Sequence, residues 1–363
     1  VDPDSPLAST PEHLLQRYEQ VLAAQPQDWR VWNDRGLLLE QLERWEEALT
    51  SYNRALSLAP RHLAPWNNLG LLLEQLGRLT EALEIYDQAL CYLPDEPSLW
   101  THRGVVLRSQ GRFQAALESY GQALRLQPND EPARYNRCLL LVALGNLQEA
   151  YRELRDLLAI APDHRGARLT LSRLLLQQDQ ASEALALLEP LLALDPDQSS
   201  FWALLGQAHY NLGQYAQALT AYHQALRLDP HQAELWQQYG HTWGQLDQYA
   251  EAVTAYREAI ARQPDSAIAH GYLGLCLASL GQEAAALDAY TTALQLDPSW
   301  TMALYNRAAL LARRGQLEAA LADLEAAARE ETTVFSQATQ DADFRALWPD
   351  PRFQERCRDP RRR

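Results

Sequence analysis

Between Trp66 and Pro94 the chain reads WNNLGLLLEQLGRLTEALEIYDQALCYLP, and its apolar residues return every three or four positions. That is the spacing of one buried face of an α-helix. Gly77 interrupts the pattern midway and Pro94 ends it, so the segment predicts two helices joined by a short turn. Small and aromatic residues stand at uneven intervals inside the pattern: Trp66, Gly70, Ala82, Tyr86 and Ala89.

These positions recur at a fixed step of 34 residues. Pro26, Pro60, Pro94, Pro128, Pro162, Pro196, Pro230, Pro264 and Pro298 keep one register without insertion. The tryptophan returns at Trp32, Trp100, Trp202 and Trp236, and the glycine at Gly36, Gly104, Gly206, Gly240 and Gly274. Tyr18, Tyr52, Tyr120, Tyr222, Tyr256 and Tyr290 continue the tyrosine series. A period of this length predicts stacked helical hairpins that bury a continuous core only together.

The spacing W-x2-L-G-x2-Y, followed by Ala, an aromatic and Pro, resembles the tetratricopeptide repeat family. The resemblance implies an all-α solenoid, a right-handed superhelix of antiparallel helix pairs A and B. The glycine of helix A and the alanine of helix B are expected where helices cross closely, and a larger side chain there costs roughly 1–3 kcal/mol. Trp66 and Tyr86 are expected to fill the space between hairpins. Pro94 cannot continue helix B, and Gly77, Gly111, Gly145, Gly213, Gly281 and Gly315 predict left-handed caps that end helix A.

Residues 1–9 read as disordered. Thr10-Pro11 starts a lone helix over 10–26, and nine repeats follow over 27–332. Repeats four and five lose much of the signature. Arg134 and Arg168 stand for Trp, Cys138 and Ser172 for Gly, and Leu154 and Leu188 for Tyr. Pro190 falls inside a helix and predicts a kink, which makes residues 134–196 either drift or a hinge or contact region. Residues 331–340 read as loop. In the remainder of 333–363, Phe344, Leu347, Trp348 and Phe353 predict a capping helix before a basic tail.

The net charge of −15 excludes nucleic acid as the main partner, since phosphate binding depends on Lys and Arg. All 32 basic residues are arginine. No apolar run is long enough to insert in a membrane. With no signal peptide, the reading is a bacterial cytoplasmic protein, although the lack of a first Met leaves an upstream segment open. Cys91, Cys138, Cys276 and Cys357 read as buried free thiols. No metalloprotease, phosphate-loop or nucleophile motif occurs, so no catalytic role, cofactor or metal is expected.

Family resemblance places a concave groove mainly on helix A, at positions two, five, six, nine, twelve and thirteen when the Trp position is four. Position six carries Asn68, His102, Asn136, Gln238, Tyr272 and Asn306, and Tyr210, His241 and Tyr305 occupy neighbouring groove positions. Side-chain amides there suit the backbone of an extended peptide, and the aromatics suit apolar anchors. They equally suit contacts within the chain. The lysine-dependent clamp for a C-terminal carboxylate is excluded, because the chain has no lysine. The functional expectation is a non-catalytic adaptor that binds an extended peptide or helix of a protein partner. The alternatives are a self-associating scaffold, a homodimer for instance, and the regulatory part of a larger enzyme.

Overall fold

The computed structural model describes residues 10–358. The first nine residues and the last five of the basic tail lie outside the described residues. Among the described residues the secondary structure is helical and no strand occurs. The chain divides into two compact units, Val1–Leu171 and Ser172–Arg363. The division falls inside the helix Arg165–Gln177, in one of the two degenerate repeats. Each unit is a stack of antiparallel helix pairs in which successive helices pack on one another. Helices A also touch between repeats one and two, three and four, and along repeats six to nine.

Repeat two shows how the sequence makes a hairpin. Helix A runs Leu63–Gln75 and helix B Leu79–Tyr92. Between them Gly77 takes φ +71°, and the N–H of Arg78 donates to the Leu73 carbonyl at 2.8 Å. This left-handed cap satisfies carbonyls that the helix end would otherwise orphan. Three repeats form the same turn without glycine, at Glu43, Asp179 and Asp247 with φ of 56–57°. A side chain there costs about 1 kcal/mol or more. Glu43→Gly should therefore raise stability by about 1 kcal/mol in urea unfolding. A lower unfolding midpoint would refute this account of the turn.

The tyrosine fills the space between hairpins, as Tyr86 stacks on His102 of the next repeat, and it also packs inside its own hairpin, against the glycine of helix A. A Cβ on Gly70 would lie 2.3 Å from Tyr86 Cζ, and the pairs Gly36–Tyr52, Gly104–Tyr120, Gly206–Tyr222 and Gly274–Tyr290 are similarly tight. The Tyr86 hydroxyl donates to Glu74 Oε1 at 2.7 Å, and Tyr52 does the same to Glu40 at 2.5 Å. Tryptophan does link neighbours: Trp66 Nε1 donates to the Pro60 carbonyl at 2.8 Å, tying helix A to the end of the preceding helix B.

The degenerate repeats keep that link by other means. Arg134 Nη2 donates to the Pro128 carbonyl and Arg168 Nε to the Pro162 carbonyl, both at 2.7 Å. His270 Nε2 lies 3.0 Å from the Pro264 carbonyl. Losing Trp therefore does not mean losing the bond. The helix Ala181–Leu194 continues through Pro190 without interruption.

Four hairpins carry a second polar tie that sequence reading missed. Three residues after the Trp position, an arginine of helix A reaches a buried polar side chain of helix B. Arg35 donates to Ser51 Oγ at 2.6 Å and Arg103 to Ser119 Oγ at 2.7 Å. Arg137 pairs with Glu153 at 2.5 Å. Arg307 grips Asp323 with two bonds of 2.8 Å.

At the N-terminus, the helix Pro11–Ala24 has Thr10 as its cap, accepting from the His13 N–H at 3.3 Å. At the C-terminus the single capping helix resolves into three short pieces: Val334–Ala338, a 3₁₀ turn Ala342–Phe344, and Pro351–Arg358. The segment read as loop thus contains a helix, with Val334 and Phe335 buried. Phe335, Phe344, Leu347 and Phe353 join one apolar cluster with Ala303, Leu304, Ala308 and Leu324 of repeat nine. Of the cysteines, Cys138 and Cys276 are buried as expected, but Cys91 is exposed. Burial pushes the Cys138 and Cys276 thiols up to about 12 and about 11, so both stay protonated at neutral pH.

Candidate functional site

The nine groove candidates fall in different places and several are already engaged within the chain. In the first unit, Asn68 Nδ2 donates to Asn33 Oδ1 at 2.9 Å. Asn136 Nδ2 donates to the Pro132 carbonyl of its own helix at 3.0 Å, and its oxygen accepts from Arg108 Nη1 at 3.4 Å. His102 stacks on Tyr86, with ring centroids 5.6 Å apart and planes within 10°. Burial holds its pKa below the usual histidine value, against the pull of Asp130. The asparagines of this unit therefore spend bonding capacity on the protein itself.

In the second unit, Tyr210, Gln238, His241 and Tyr272 converge on a cleft of about 380 Å³. It is formed by helices Ser199–Asn211, Ala233–Gln245 and Ala267–Ser279, the A helices of repeats six to eight. Nine helix A residues line it: Gln207, Tyr210, Asn211, Glu234, Gln237, Gln238, His241, Ile268 and Tyr272. Every one stands at a position that the family resemblance assigned to the groove. Tyr222 and Tyr256, helix B tyrosines of the repeat signature, complete the lining and are each 2% exposed. Sequence reading treated these two as architecture alone. It also passed over Ile268, whose place at position two was the available signal.

The aromatic rings form a connected series. Tyr210 lies 5.5 Å from His241, and His241 meets Tyr272 edge-on at 5.1 Å. Tyr272 stacks on Tyr256 at 5.9 Å and meets Trp300 edge-on at 6.0 Å. Tyr210, His241 and Tyr272 stand at positions twelve, nine and six of three neighbouring A helices, while Tyr256 comes from a helix B and Trp300 precedes the helix Thr301–Arg313. Gly271 makes room for Trp300, since a Cβ there would lie 2.0 Å from the indole. Burial lowers the His241 pKa, so the imidazole is neutral at pH 7. Burial raises the Tyr210 pKa, with Tyr215 and Tyr272 contributing in the same direction.

Tyr305 and Asn306 lie apart from that cleft, beside one lined also by Trp300, Met302, Glu330 and Gln337. The Tyr305 hydroxyl donates to Asp341 Oδ2 at 3.0 Å, and its ring meets Phe344 edge-on at 5.2 Å. Burial first, then the Asp341 hydrogen bond, raise its pKa. Asn306 Nδ2 approaches Met302 Sδ at 3.0 Å. Tyr305 thus holds the C-terminal cap in place. Among the described residues, no group of three His, Cys, Asp or Glu side chains is arranged to hold a metal ion. No helix among them is long and apolar enough to cross a membrane.

Family models described as tetratricopeptide repeat match residues 29–90, 107–163, 141–208, 199–232 and 244–300. No curated protein matches the sequence. Among solved structures, the Cut9–Hcn1 hetero-tetramer of the APC/C aligns over 84% of this chain and 60% of that one, at 17% identity and a TM-score of 0.51. A tetratricopeptide repeat protein from Parabacteroides merdae aligns over 70% of this chain and 97% of its own, at 18% identity and a TM-score of 0.49. MamA from Desulfovibrio magneticus RS-1, residue 41 to its end, aligns over 47% of this chain and 96% of its own, at 24% identity and a TM-score of 0.45. At these identities the likeness concerns the fold.

Proposed function

The chain belongs to the tetratricopeptide repeat family, and on that premise we propose that it is a non-catalytic scaffold holding an extended segment of a protein partner in the cleft of repeats six to eight. The fold generally serves protein–protein interaction. The observation that carries the more specific reading is the convergence of Tyr210, Gln238, His241 and Tyr272 on one cleft. Tyrosine rings supply large contact area at little entropic cost. The amides of Gln207, Gln237 and Gln238 can bond a peptide backbone, which needs both a donor and an acceptor at each residue. Exposed Ile268, with 55% of its surface accessible, adds an apolar wall.

The first unit is the weaker candidate, because Asn136 bonds within the chain through both ends of its amide. A displayed library of random dodecapeptides, selected against the protein, tests the proposal. Selected peptides should lose about tenfold or more in affinity for the double variant Gln238→Ala, His241→Ala. The same peptides should bind Asn136→Ala as they bind the original protein. Equal binding to the double variant, at an unchanged melting temperature, would move the site out of this cleft.

A further inference from the structure

The cleft has a definite charge character. Glu234 lies exposed in the first turn of its helix and lines the cleft. Among the described residues no ion pair engages it, and no arginine lines the cleft. The other polar groups there are amides, tyrosine hydroxyls and His241. The rings of Tyr210 and Tyr272 flank His241 at 5.5 and 5.1 Å, and aromatic faces carry negative quadrupole potential. An anion would meet Glu234 and these faces with nothing positive to receive it. An apolar side chain would make no use of the carboxylate or of the glutamine carbonyls. A cation can pair with the carboxylate, donate to amide oxygens and lie on the ring faces.

We infer that the cleft receives an arginine side chain of the partner segment, with the guanidinium against the Tyr210 and Tyr272 rings and bonded to Glu234. This rests on the function proposed above and narrows its partner to a basic peptide. Arginine fits better than lysine. Its planar fork stacks on aromatic rings while donating to several acceptors in one plane, and its methylene stem suits the exposed Ile268 wall. Elsewhere the chain already pairs arginine with aromatic rings: Arg262 lies 5.1 Å from the Trp236 centroid and Arg30 lies 5.3 Å from that of Trp29. The neutral state of His241 removes the one group that would repel a cation. The net charge of −15 favours encounter with a basic segment.

The probe is the peptide acetyl-Ala-Leu-Ala-Arg-Ala-Leu-Ala-amide, compared by calorimetry with the same peptide carrying citrulline, the neutral isostere. The arginine peptide should bind about tenfold more tightly. Glu234→Gln should shrink that ratio severalfold without changing the melting temperature, because Glu234 is exposed. Tyr272→Phe should keep the ratio and Tyr272→Leu should lose it, since Phe retains the π face. A ratio near one on the original protein would overturn the inference, as would an unchanged ratio on Glu234→Gln. The two proposals fail separately. Library peptides that bind the cleft but lack basic residues would leave the scaffold reading standing and remove this one.

Discussion

Gly70→Ala is expected to lower the stability of repeat two by about 1–3 kcal/mol, although alanine is the better helix former by about 1 kcal/mol. The new Cβ would lie 2.3 Å from Tyr86 Cζ and 2.5 Å from Tyr86 Oη. The ring has nowhere to go: Tyr86 is fully buried and its hydroxyl bonds to Glu74. Overpacking therefore outweighs propensity, and helices A and B must separate. Two controls sit in the same protein. Gly121 lies in the helix Phe113–Leu126, and a Cβ there would meet nothing within 4 Å, so Gly121→Ala should stabilise by about 1 kcal/mol. Gly240 has its nearest neighbour at 3.2 Å, and Gly240→Ala should fall between the two. Hydrogen exchange read by mass spectrometry, repeat by repeat, gives the measurement, because a repeat array need not unfold as one cooperative unit. Equal effects at Gly70 and Gly121 would show that the glycine is kept for some reason other than the tyrosine.

That glycine–tyrosine pair marks what the sequence could and could not disclose. The 34-residue step, the caps at Gly77 and its equivalents and the boundaries of the hairpins were legible, because turn chemistry and helical periodicity are local. Spacing shows only that the groove positions share one helix face; that this face lines a groove is what the family resemblance implies. Which residue fills which gap was not legible. Tyr86 and Gly70 are 16 residues apart, and only their packing reveals that each exists for the other. Arg134 and Arg168 break the signature by residue type and keep it by bonding capacity. A guanidinium and an indole both offer the N–H that the proline carbonyl needs. Tyr305 lines a cleft, but its further role at the cap was not legible, because Asp341 and Phe344 reach it from 36 and 39 residues downstream.

The largest single effect is expected at Arg307→Leu, which should destabilise repeat nine by about 3–5 kcal/mol. Asp323 is 7% exposed and both of its oxygens accept from Arg307 at 2.8 Å. Removing the guanidinium strands a carboxylate in the core, and the stranded charge costs more than the pair contributed. The double variant Arg307→Leu, Asp323→Ala should then recover to within about 1 kcal/mol of the original protein, because apolar replacements of buried ion pairs are tolerated. The chain itself contains that solution: the same two positions are Leu205 and Ala221 in repeat six and Leu273 and Ala289 in repeat eight. Arg103→Leu should cost only about 1 kcal/mol. Its buried partner Ser119 is neutral and also donates to the Ala115 carbonyl at 2.9 Å, and its charged partner Asp87, at 2.7 Å, is exposed to solvent, so no buried charge is left behind. Urea unfolding and local hydrogen exchange on all four proteins decide the matter. If the double variant is as unstable as Arg307→Leu alone, the loss comes from arginine packing, and the buried charge is not the cause. If the double variant recovers, the polar ties between helices A and B are interchangeable with apolar ones, and their choice of repeats one, three, four and nine must serve something other than stability.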